Sequence, residues 1–175
     1  MKKFILFLLV FGTFLHAWEV YFMPKEGKQA EKKLTYLISH AKKEIKMTIY
    51  TFTNKKIASA LKKAAKRGVK IYIIADKKEA KYKYSVIPRL ATLKNFRIYL
   101  LSGKNYKNGD KAKMHVKSTI IDDKYIITGS ANYSYSAFYK NYEYIIISED
   151  TFLIKEFKAF FNSLRIVATD YRFSR

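Results

Sequence analysis

His115-Val116-Lys117 is followed five residues later by Asp122, then by Gly129-Ser130-Ala131-Asn132, and then by Glu143 between Tyr142 and Tyr144. An imidazole changes charge near neutral pH and serves as nucleophile or proton carrier. On a strand, residues i and i+2 face the same side, so His115 and Lys117 enter one pocket. An ammonium there loses water at a cost, unless it meets an anion. A phosphate supplies that anion, and a serine hydroxyl with an asparagine amide can donate to its non-bridging oxygens. Gly129 lets the backbone approach closely. A carboxylate at Glu143 on the far nitrogen of His115 would fix its tautomer and stabilise the imidazolium. Asp122 falls on the opposite side of an extended strand and is expected to support structure rather than touch substrate. Each element alone has a plain reading as surface polarity or a turn. Together, in this order, they point to gripping and attacking a phosphate ester.

The elements that must position these residues follow from periodicity. Strands are expected at Trp18–Phe22, Ile45–Phe52, Val69–Ala75, Arg97–Leu101, His115–Ile121, Tyr125–Thr128 and Tyr142–Ser148. Helices are expected at Lys28–Lys43, at Lys55–Arg67 behind an Asn54 cap, at Thr151–Leu164, and more weakly at Ser85–Leu93, which contains Pro88. Residues 132–138 read as a short helical or irregular segment, and 102–113, rich in Gly, Asn and Lys, as a basic loop. Asp122-Asp123-Lys124 turns a hairpin. Early strand–helix alternation followed by a hairpin predicts an α/β fold, a mixed sheet covered by helices on both faces.

Composition narrows the partners. The 175 residues suit one domain, and 35 Lys+Arg against 14 Asp+Glu give a net charge of +21, an excess that attracts polyanions. There is no cysteine, which removes disulfides and thiol chemistry, and the only histidines are His16, His40 and His115, so no metal site is expected. Met1-Lys2-Lys3, an apolar run from Phe4 to Leu15, and Ala17 before Trp18 read as an export signal. A twelve-residue helix spans only about 18 Å, short of a membrane core of about 30 Å. Cleavage after Ala17 and retention as a membrane tether both stay open, and either places the domain at residues 18–175 outside the cytoplasm. That domain keeps +19, because residues 1–17 carry only Lys2 and Lys3.

The order H-x-K-x4-D, then G-S-x-N, resembles the signature of the phospholipase D superfamily, and residues 115–122 and 129–132 fit it without departure. Within it the chain is most similar to small bacterial endonucleases with one motif per chain, a likeness that extends to Glu143 and to Tyr21-Phe22-Met23-Pro24. The resemblance implies an α/β/α sandwich in which His115 forms a phosphohistidine, Lys117, Ser130 and Asn132 hold the phosphate, and Glu143 orients His115. It also implies a reaction without metal or cofactor. A second histidine must protonate the leaving oxygen, and His40 has neither the motif nor its companions. The resemblance therefore implies a homodimer in which two copies of His115 share one site on a two-fold axis.

Nucleic acid is the leading substrate. Lys104, Lys107, Lys111 and Lys113 precede His115, and Tyr106 and Tyr82 offer stacking faces in basic surroundings, which suits a single strand. A phospholipase or cardiolipin-type phosphodiesterase is the second reading, favoured by the export signal. A non-catalytic nucleic-acid-binding protein is the third, although binding alone needs neither His115 nor Glu143.

Overall fold

Runs of β-branched and aromatic residues become strands, and the amphipathic stretches between them become helices. The computed structural model describes residues 18–171. Its strands are β1 (Trp18–Met23), β2 (Glu44–Ile49), β3 (Lys70–Asp76), β4 (Phe96–Leu101), β5 (Ser118–Ile121), β6 (Tyr125–Gly129), β7 (Glu143–Ser148) and β8 (Thr169–Asp170). They form one sheet in the order β1-β7-β6-β5-β2-β3-β4-β8. β2, β3 and β4 run parallel, and every other pairing is antiparallel.

The helices are α1 (Gly27–His40), α2 (Lys55–Lys66), α3 (Ile87–Ala91), α4 (Tyr135–Tyr139) and α5 (Thr151–Val167). α1, α2 and α3 bury Leu34, Ile38, Ile57, Leu61 and Leu90 with Ile45, Met47, Ile71 and Ile73 in the large core. α5 covers the opposite face, where Ile154 packs with Ile120 and Ile126, and Leu153 and Phe157 close around them. The mixed sheet with helices on both faces is thus present. Asn54 caps α2 as expected, its Oδ1 accepting from the amides of Lys56 and Ile57.

Several boundaries differ from the sequence reading. α1 stops at His40 because Ala41 is extended, not helical. Pro88 does not oppose α3; it lies in the first turn, where a missing amide costs nothing. The basic loop is a small hairpin with a bridge between Asn105 and Lys111. α5 continues to Val167 and leads into β8, an edge strand too short to show in periodicity. β5 begins at Ser118, three residues later than expected, so His115 and Lys117 precede the strand. The expected export signal at residues 1–17 lies outside the described residues. Among the described residues, no helix is long and apolar enough to cross a membrane.

Candidate active site

Sheet direction gathers the polar residues at one end. β2, β3 and β6 finish there, at Ile49, Asp76 and Gly129, and β5 and β7 start there, at Ser118 and Glu143. Thr48 of β2 pairs with Ser118, Ser118 with Thr128, and Gly129 with Ile145. Residues just beyond these ends converge although they lie far apart in sequence.

His115 is exposed, whereas Lys117 is only 7% exposed. The Lys117 ammonium donates to the His115 carbonyl at 2.8 Å and lies 2.9 Å from Nδ1 and 3.0 Å from Nε2. The Tyr50 ring, just past β2, sits 4.6 Å from the imidazole, centroid to centroid, and both Lys113 and Lys117 place Nζ 5.4 Å from its centre. Burial first, then the Lys117 and Lys113 ammoniums, hold the His115 pKa below its ordinary value, against the pull of Asp76 and Glu143. These influences favour the neutral ring, with Lys117 against its nitrogens. Burial also lowers the Lys117 pKa; Glu143 opposes this and Lys113 adds to it.

Ser130 follows β6. Its hydroxyl donates to Glu143 Oε2 and accepts from the Tyr144 amide at 3.1 Å. Glu143 was expected on the far nitrogen of His115. In the single chain its hydrogen bond comes from Ser130 instead, because it opens β7 beside the end of β6 while Lys117 flanks both nitrogens of the ring. The Asn132 Oδ1 accepts from the Thr51 amide at 3.1 Å, which orients the side chain and leaves its NH₂ as a donor. Gly129 answers a packing demand: a Cβ there would lie 2.2 Å from the Tyr144 carbonyl oxygen.

Asp122 lies at the other end of β5, away from these groups. Its carboxylate accepts from the amides of Lys42, Lys43 and Glu44 at 2.7, 2.8 and 3.0 Å. Lys113 is drawn to the site. Lys104, Tyr106, Lys107 and Lys111 are exposed on the hairpin, and none of them contacts His115. Two residues escaped the sequence reading. Asp76, buried at the end of β3, accepts from the amides of Lys78, Glu79 and Met114, pinning the backbone next to His115. Tyr50 is the other. The signal for Asp76 was an acid closing an apolar strand, a place where burying charge needs a reason. Tyr50 gave none, since an aromatic residue near a strand end is ordinary.

A cleft of about 600 Å³ opens beside the site, lined by His115, Lys117, Gly129 and Ser130 and walled by Glu156, Phe157 and Phe160 of α5. Among the described residues, no three His, Cys, Asp or Glu side chains come together as metal ligands.

Residues 34–165 match the family described as "Cardiolipin synthase, PLD-like domain". The phospholipase D of Rickettsia prowazekii (strain Madrid E) is 33% identical over 137 residues, 78% of this chain and 62% of that protein. The chain thus spans less than two thirds of that relative's length. Among solved structures, NucT from Helicobacter pylori is 35% identical with a TM-score of 0.85, over 88% of this chain and 98% of that one. Nuc from Salmonella typhimurium, a phospholipase D family member, is 25% identical with a TM-score of 0.72, over 89% and 97%. Fold, family match and motif agree, and this chain belongs to the phospholipase D-like family.

Proposed function

We propose that this protein is a phosphodiesterase that cleaves nucleic acid, preferring single strands, at a site two copies of the chain complete. The exposed His115 ring held against the buried Lys117 ammonium carries this reading. A nucleophilic ring stands against a cation that an incoming phosphate would draw away from it.

In the reaction, a ring nitrogen of His115 attacks phosphorus. The P–O bond to the leaving group breaks, and the departing oxygen takes a proton from His115 of the second copy. That ring, now neutral, removes a proton from water; the water oxygen attacks phosphorus and the P–N bond breaks. Two identical rings facing one phosphate titrate as a pair, and one proton between them satisfies both roles. Lys117 and the Asn132 NH₂ group hold non-bridging oxygens. Ser130, fixed by Glu143 and Tyr144, turns toward the phosphate when the two chains and substrate come together. Asp76 and Asp122 hold backbone. No metal or cofactor enters these steps. The net charge of +21 and the lysines of the 104–113 hairpin support a polyanionic substrate. The apolar opening of the chain supports work outside the cytoplasm, with a membrane tether as the variant form.

A lipid reading has one specific support, the Phe157 and Phe160 wall of the cleft, together with the Rickettsia relative's name. One experiment separates the readings. Purified protein is incubated with single-stranded DNA, duplex DNA, RNA and phospholipid vesicles in excess chelator, with His115→Ala in parallel. Chelator-resistant nucleic-acid cleavage, fastest on single strands and lost in the variant, is expected. Cleavage of lipid alone overturns the proposal, and binding without turnover favours a non-catalytic role. Full activity from a monomer in sedimentation would remove the shared site.

A further inference from the structure

A second groove includes Asn132 and no residue of α5. It encloses about 480 Å³ and includes Thr51 and Asn132, Ser136 and Asn141, and three tyrosines, Tyr82, Tyr84 and Tyr135. These tyrosines are 47%, 62% and 63% exposed, an unusual amount of aromatic surface around one opening. They are not loose. Tyr82 packs edge-on against Tyr84 at 5.3 Å, and Tyr135 stacks on Tyr139 at 4.9 Å. Lys83 places its ammonium 4.8 Å from the centre of the Tyr84 ring. Rigid rings with a cation on one face and hydroxyl and amide groups between them suit a flat, hydrogen-bonding, anionic-backbone ligand.

We infer that this groove receives an unstacked base of the nucleotide adjoining the phosphate held at His115. The inference rests on the nuclease reading of the site. It deepens that reading by giving single-strand preference a structural cause. Asn132 joins the two places: it stands two residues after Ser130, which lines the cleft at His115, and its oxygen is tied to Thr51, which lines the groove with it. A base reaches Tyr84 and Tyr135 only after leaving its stack. A single strand does this at little cost, whereas a duplex must first break a pair.

The test compares two strands with the same phosphate backbone: oligothymidylate, and an oligomer of equal length built from abasic tetrahydrofuran units. The full chain is expected to cleave the first at least about tenfold faster in kcat/KM, the scale of one base–aromatic stack. Tyr84→Ala/Tyr135→Ala should bring oligothymidylate down to the abasic rate and leave the abasic rate unchanged, while Tyr84→Phe/Tyr135→Phe retains wild-type discrimination. Equal slowing of both strands, or an unchanged ratio, overturns the groove. Binding is read separately in His115→Ala by fluorescence anisotropy. Base-dependent affinity that the alanine pair abolishes supports the groove even if the wild type turns nothing over, a result that would remove the nuclease reading alone. Equal affinity for both strands in that assay overturns the groove whatever the turnover.

Discussion

The two ends of β5 carry the two halves of one motif and treat charge in opposite ways. At the Ser118 end, Lys117 is nearly buried and its ammonium meets the imidazole and carbonyl of its neighbour two residues back. At the Ile121 end, Asp122 is partly exposed and fully engaged, accepting from three backbone amides between α1 and β2. Asp122 and Asp123 both adopt a left-handed backbone, φ 54°, which aspartate tolerates better than most residues. The aspartate is held by backbone amides, whereas the lysine ammonium leans on its own neighbour and has no ion pair among the described residues. That difference separates a residue that holds a fold from one that awaits a ligand, although both belong to the same eight-residue pattern.

The comparison breaks most visibly at His115. His115→Ala should lower kcat/KM by about 10⁴-fold or more while leaving the urea midpoint nearly unchanged, since the ring is exposed. Asp122→Ala should do the reverse. Losing three accepted hydrogen bonds in a partly solvated turn should cost about 1–3 kcal/mol in urea unfolding, and forcing alanine to positive φ adds about 1 kcal/mol. Activity per folded molecule should stay within a few-fold of wild type. Asp122→Asn, which keeps an acceptor and tolerates the backbone, should fall between. A large loss of turnover in fully folded Asp122→Ala would erase the distinction between the two ends.

Much of this division was legible in the sequence because it follows period and residue type. His115 and Lys117 lie two residues apart and do meet, although both precede β5 instead of sharing a strand face, and the position of Asp122 beyond the strand set it apart. The α2 cap at Asn54, the Asp122 turn and the two-faced sheet came from equally local signals. What did not show depends on contacts between distant segments. Nothing near Glu143 announces that it meets Ser130, because that pairing follows from the β6–β7 register. Tyr50 and Asp76 join the site only because parallel β2 and β3 end where antiparallel β5 begins. Strand ends also shift by a residue or more when side chains take over from the ladder: at Lys117 the carbonyl accepts from the Thr128 hydroxyl, and β5 starts one residue later.

Glu143→Gln sharpens the lysine end. The carboxylate fixes the Ser130 hydroxyl and raises the pKa of both His115 and Lys117. The variant should lose about 10²-fold in kcat, the scale of one misaimed donor in a preorganised site. If Glu143 acts through Ser130, Ser130→Ala in the same background should add little, giving a coupled double-mutant cycle. Full additivity would mean that the carboxylate serves His115 by a route independent of Ser130.

Lys113→Ala gives the smallest effect and asks how far the cation field around His115 extends. Lys113 shares the Tyr50 ring with Lys117 and helps hold the His115 pKa below its ordinary value of 6.5. Removing that ammonium makes the imidazolium less unfavourable, so the pKa should rise, and the acid limb of kcat/KM should move to higher pH. Glu143→Gln should move it the other way. The linkage to stability has the same sign. A histidine whose folded pKa lies below its unfolded one favours the fold above the unfolded value and loses that contribution as pH falls. Lys113→Ala should therefore soften the acid destabilisation. The His115 ring resonances, assigned by their disappearance in His115→Ala, report the shift directly. If they titrate unchanged, the cation field at His115 ends at Lys117, and the 104–113 hairpin acts on substrate without tuning the nucleophile.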